Sequence, residues 1–155
     1  MGDRTSVTLY FLASQRDKVD AIIEPLNERP QTDDGGTEDG QDLWIYSYDE
    51  VNYGELNFLP LLAAAGIAYE SAWGSGAEYD EGSEYCRFTK EGECKVTTVN
   101  SGELSISIEL MMTMLHQPDA LVQYIKDRHA ENTVLPWTDQ AAHGATYQAM
   151  QLISK

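Results

Sequence analysis

Residues 73–85 read WGSGAEYDEGSEY: four carboxylates, three glycines and three aromatic rings, with no lysine or arginine. The same bias extends well beyond this stretch. No basic side chain occurs between Arg29 and Arg87, and that interval carries thirteen acidic residues. Asp33, Asp34, Glu38 and Asp39 come first, then Asp42, Asp49, Glu50 and Glu55, then Glu70, Glu78, Asp80, Glu81 and Glu84. Carboxylates in such number allow three kinds of chemistry: cation binding, acid–base catalysis, and docking on a basic surface.

Neither of the first two finds a motif. DDGGTEDG lacks the alternating ligands and the distal glutamate of a calcium loop, and its paired glycines would leave a loose cage. No metal, and no cofactor of any kind, is expected. His116, His129 and His143 are far apart and form no HExxH pattern. There is no G-x-S-x-G elbow, no phosphate-binding glycine loop and no dinucleotide fingerprint. With 26 acidic residues, no carboxylate pair stands out as an acid and its partner. The chain is therefore not expected to be an enzyme. Cys86 and Cys94 have no second pair and no metal spacing. Without a secretion signal they are expected to be reduced thiols on neighbouring strands.

The chain has 155 residues, 42% of them hydrophobic, and a net charge of −16. That length and composition suit one folded domain over residues 1–155 rather than a disordered acidic tail. The charge repels nucleic acid and anionic membranes and attracts basic proteins. There is no apolar run long enough for a membrane helix, and the N-terminal apolar run lacks a basic leader. A cytoplasmic location is expected.

The elements that must position these groups follow from periodicity. SVTLYFLA (6–13) predicts a central strand. Ser14 is placed to cap a helix over QRDKVDAIIEPL, with Val19, Ile22, Ile23 and Leu26 at helical spacing. Residues 30–41, rich in glycine and acid and without large apolar side chains, read as a flexible loop. DLWIYSY (42–48) predicts a second strand. YGELNFLPLLAAA (53–65) predicts a helix in which Pro60 starts a second segment. Strands follow at 67–73, 84–89 and 93–99, the last two joined by Lys90-Glu91-Gly92. In the fourth strand Tyr85, Arg87 and Thr89 alternate with Cys86 and Phe88, which predicts one wet face. Helical patterns then cover 104–116, the segment from Pro118 with Leu121, Val122 and Ile125 on one side, and a last helix capped by Thr138 or Asp139. The fold class expected is α+β: a mixed or antiparallel sheet of about five strands with a βαβ-like start, helices packed on it, and a helical C-terminal part.

The functional expectation rests on the charge. Carboxylates spaced over a rigid surface imitate the phosphates of a duplex, and neighbouring aromatics supply anchoring contacts. The residues expected to meet a partner are Asp33, Asp34, Glu38, Asp39, Asp49, Glu50, Glu55, Glu70, Trp73, Glu78, Tyr79, Asp80, Glu81 and Glu84. The expected partner is a basic nucleic-acid-binding protein or host-defence complex, inhibited in the manner of an anti-restriction or anti-CRISPR protein. Direct binding of nucleic acid or membrane is not expected, and a homodimer is compatible with the aromatic, strand-rich composition. Two alternatives stay open: a regulatory or structural interaction module without mimicry, and a small hydrolytic enzyme with an unrecognised site.

Overall fold

The computed structural model describes residues 3–101 and 105–154. Six antiparallel strands form one sheet, and helices pack on it. The strands are β1 (Arg4–Leu12), β2 (Thr32–Glu38), β3 (Gln41–Asn52), β4 (Tyr69–Trp73), β5 (Gly82–Phe88) and β6 (Cys94–Asn100), in the spatial order β2-β3-β1-β4-β5-β6. The helices are α1 (Arg16–Ile23), α2 (Leu59–Ala64), α3 (Ile108–Met114), α4 (Pro118–Glu131) and α5 (Gln140–Ile153). The α+β class and the helical C-terminal part are as the sequence predicts. β1 and β2 run in the same direction, with α1 between them in the chain, but antiparallel β3 lies between them in space. The βαβ-like start is thus a split one.

Side-chain alternation makes one sheet face the core. Val7, Leu9 and Phe11 of β1 stand opposite Tyr48, Tyr46 and Trp44 of β3, and Phe11 stands opposite Tyr69 of β4. α1 lays Val19 and Ile23 on this face, and the α2 region adds Phe58, Leu59 and Leu62. The ring of Phe11 meets Tyr46 edge-on at 5.1 Å, a favoured aromatic geometry. α5 closes the end of the sheet. The side-chain amide of its Gln140 accepts from the Phe88 N–H at 2.7 Å and donates to the Phe88 carbonyl at 3.1 Å. Tyr147 rests on the Phe88 ring, with centroids 5.1 Å apart.

Several expectations need correction. Residues 32–38 are an edge strand rather than a flexible loop, so the sheet has six strands and not five. Gly35 and Gly36 lie opposite Trp44 and Leu43. A Cβ on Gly36 would sit 3.1 Å from the side chain of its diagonal neighbour Ile45, so this glycine makes room for a large cross-strand residue instead of loosening the chain. Ser14 does not cap α1; Ala13–Gln15 is a 3₁₀ turn leading into it. The helix expected over 53–65 is confined to Leu59–Ala64, started at Pro60. Tyr53 and Gly54 both take left-handed conformations, which stop a helix from forming earlier. Asp139 is also left-handed and its side chain caps nothing. The apolar side of α4 does not reach the core: Val122 and Ile125 are exposed. The expected start of the methionine-rich helix at Leu104 lies outside the described residues.

Cys86 and Cys94 are free thiols on the core-side face of β5 and β6, with sulfurs 3.7 Å apart. Burial pushes the Cys86 thiol well up. No helix among the described residues is long and apolar enough to cross a membrane.

Candidate functional site

The acidic stretch that opens at Trp73 joins β4 to β5 and folds over one end of the sheet. A bulge in β3 brings a second acidic turn to the same end. Thr5 pairs with Val51 and Val7 with Tyr48, so β3 holds one extra residue there. Glu50, in the bulge, is left-handed with φ 57°. Asp3 ties the two turns together. Its carbonyl accepts from the Tyr53 N–H at 2.7 Å. Its carboxylate accepts from the backbone N–H groups of Ala77 and Glu78. Gly76 is required at this junction, because a Cβ there would lie 2.4 Å from the Asp3 carboxylate and 2.5 Å from the Tyr79 ring. The Trp73 indole N–H donates to the Asp80 carbonyl at 3.1 Å, which fixes the far side of the loop.

This end of the sheet therefore gathers Asp3, Asp49, Glu50, Glu55, Glu78, Asp80 and Glu81. Within segments 3–5, 49–55 and 74–82 the only cation is Arg4, which pairs with Glu50 at 3.2 Å. These three segments together hold seven carboxylates and one guanidinium. Beside them a groove of about 870 Å³ opens on the core-side face of β4–β6. Ser71, Glu84 and Thr98 lie abreast on three adjacent strands and form its floor. Tyr53, Glu55, Trp73, Tyr79 and Asp80 also line it. Glu84 accepts from the Tyr69 hydroxyl at 2.7 Å.

On the opposite face a smaller cavity of about 550 Å³ surrounds Arg87. The wet face expected for β5 is covered here: Arg87 is only 4% exposed. Its guanidinium stacks on Trp137 at 3.7 Å and donates to the carbonyls of Tyr69, Cys86 and Leu135 at 2.7, 3.1 and 3.0 Å. Burial lowers its pKa. The Trp137 indole N–H donates to Glu38 and its backbone N–H to Asp39, both at 3.2 Å. Glu38 and Asp39 thus hold the chain segment that covers this face. Glu70 also lines the cavity. Burial raises its carboxyl pKa above the usual 4.5, with Arg87 opposing and Glu38 adding to the rise.

A raised carboxyl pKa means that the folded state keeps the proton longer than the unfolded chain. Stability then falls as pH climbs from about 4.5. Glu70→Gln removes this loss. Its stability relative to the native protein is expected to improve between pH 4 and pH 7, modestly, because the carboxylate still reaches solvent. Urea denaturation at the two pH values measures the gap; a constant or shrinking gap contradicts the assignment.

The fourteen residues expected to meet a partner therefore divide. Asp49, Glu50, Glu55, Trp73, Glu78, Tyr79, Asp80, Glu81 and Glu84 share the acidic end and its groove. Glu38, Asp39 and Glu70 surround the Arg87–Trp137 stack. Asp33 and Asp34 lie on β2 and point to opposite faces, since they stand opposite Tyr46 and Ile45. Asp33 pairs with Arg16 at 2.9 Å. Among the described residues, ion pairs within 4.0 Å take up only Asp33 and Glu50 of the thirteen carboxylates between Arg29 and Arg87.

Asp3, Ser71 and Trp137 were not expected at these sites. Strand alternation carries a signal for Ser71, which is a small polar residue between Tyr69 and Trp73 on the inward-facing side. Nothing local in the sequence marks Asp3 or Trp137. Among the described residues, no group of three or more His, Cys, Asp or Glu is arranged to hold a metal ion. Set against protein-family models, curated proteins and solved structures, the chain matches none of them.

Proposed function

We propose that this protein binds a basic, nucleic-acid-binding protein through the acidic end of its sheet and occupies the surface that DNA would use. Its targets are host-defence complexes that grip DNA, such as restriction and RNA-guided nucleases, so the protein acts as an inhibitor by mimicry. The observation that carries this reading is that segments 3–5, 49–55 and 74–82, tied together at one end of the sheet, hold seven carboxylates and a single cation, Arg4. Two turns clamped by Asp3 hold these carboxylates, so they are presented on a preorganised frame. A duplex presents one charge about every 1.7 Å, and a cleft built to grip that density attracts a surface of the same sign.

The test is titration against restriction and RNA-guided nuclease complexes at stepped salt. Saturable binding that competes with DNA and weakens as salt rises is the expected result. Replacing Asp49, Glu78 and Glu81 together by lysine is expected to weaken it at least tenfold, about 1.4 kcal/mol. All three are exposed, so the fold tolerates the change. Binding that ignores both salt and the triple reversal would refute the proposal.

A second reading has its own observation. Ile108, Met112, Val122, Ile125, Leu152 and Ile153 are exposed on the C-terminal helices. Association through these side chains would depend little on salt, and the same titration separates the two.

A further inference from the structure

We infer that the groove beside the acidic end is a receptor for an arginine side chain of the partner. This rests on the docking proposed above and names the contact that anchors it. Three carboxylates line the groove, those of Glu55, Asp80 and Glu84, and no lysine or arginine does. The ligand is therefore cationic.

A second observation is independent of charge. Ser71 is 1% exposed, yet its hydroxyl has no hydrogen-bond partner among the described residues, and it lies on the groove floor. The Tyr79 hydroxyl, also at the groove, is buried and unpartnered too. Buried polar groups in native proteins are almost always paired, and leaving one unpaired is costly. Two of the five such groups among the described residues lie in this one acidic groove, where a ligand can supply the missing hydrogen bonds.

Arginine fits this set of groups better than lysine. Its guanidinium is a planar fork of five donors that bonds carboxylates and hydroxyls at once and stacks on aromatic faces. Glu84 has lone pairs to spare after accepting from Tyr69, Ser71 lies directly opposite it in the register, and Trp73 and Tyr53 offer ring faces. The groove volume of about 870 Å³ falls within the range of ligand clefts, about 300–1,000 Å³. It accommodates the side chain together with its flanking backbone.

The experiment uses the full chain and a short blocked peptide of alternating glycine and arginine, with the lysine counterpart as comparison. Indole N–H resonances report the site, since Trp73 lines the groove and Trp44 and Trp137 do not. The expected result is a saturable shift of the Trp73 resonance alone, with the lysine peptide at least threefold weaker. Asp80→Asn and Glu84→Gln are each expected to weaken binding about tenfold, and Ser71→Ala about threefold. Asp80 is exposed and only its carbonyl holds Trp73, so the Asp80 variant keeps the fold even if the Glu84 variant does not. An unmoved Trp73 resonance, or equal affinity in the Asp80 and Ser71 variants, overturns the inference. Equal binding of the lysine peptide overturns the choice of arginine. If a nuclease complex binds with salt sensitivity while the arginine peptide leaves Trp73 unmoved, the groove assignment fails and the docking proposal stands. If the peptide fills the groove and no nuclease complex binds, the docking proposal fails instead.

Discussion

Gly144→Ala is expected to cost about 3 kcal/mol or more of stability in urea titration, a larger loss than any exposed substitution in the protein. The reason is backbone against backbone. A Cβ on Gly144 would lie 1.9 Å from the carbonyl oxygen of Gly66, and one on Gly66 would lie 2.4 Å from that of Gly144. Neither side is a flexible tip that could swing away. Gly66 also has φ +67°, which ends α2 and is strained for any other residue. To admit the methyl group, α5 must move off the α2–β4 turn. That shift pulls Gln140 from both backbone groups of Phe88 and Tyr147 from its ring. Alanine is the better helix former, so the loss must come from crowding and runs against propensity. Ala145→Gly, one residue along on the exposed side of the same helix, is the control and is expected to cost only about 1 kcal/mol. Similar losses for the two changes would mean that the contact between Gly66 and Gly144 does not hold α5 in place.

Trp137→Ala is expected to cost about 3–5 kcal/mol, the usual range for deleting a large buried ring. Trp137 is 1% exposed and is the only aromatic residue of the 132–139 connection. It covers Arg87 on a sheet face that helices α1 and α2 leave bare. Removing the ring exposes the guanidinium and releases Glu38 from its indole partner. Trp137→Phe separates these effects. It keeps a ring on Arg87 and loses the hydrogen bond to Glu38, so about 1 kcal/mol is expected from the missing bond, with a further loss for the smaller ring. Denaturation of the two variants measures the difference. An alanine variant as stable as the phenylalanine variant would show that stacking on Arg87 contributes nothing.

These two contacts also explain how far the sequence could be read. Strands with alternating β-branched and aromatic residues, such as 6–13 and 84–89, announce themselves because one face is buried and the pattern is local. Pro60 marks the start of α2 for the same kind of local reason. β2 was hidden because its composition, TDDGGTE, is that of a turn. What makes it a strand is its pairing with β3 across a hairpin, where Gly36 leaves room for Ile45. Arg87 looked solvent-facing because alternation puts it opposite Cys86 and Phe88. The residue that buries it, Trp137, comes fifty positions later in the chain. The acidic end was legible in its parts, because each acidic turn carries its carboxylates within a short local stretch. Their meeting was not, since it depends on Asp3, a single residue before the first strand. The carboxylates of β2 and the Arg87 cavity carry the same local charge signal, although strand alternation alone sends Asp33 and Asp34 to opposite sides.

The edge position of β2 has one more consequence. A sheet edge with free backbone groups invites another strand to extend it. Two copies meeting along β2 would bring Asp33, Asp34 and Glu38 of each molecule against the same three of the other. With their charges intact, these side chains act as gatekeepers against head-on polymerisation of the sheet. The margin β6 offers on the far side, with Lys95 and the exposed Val96, is guarded by far less charge.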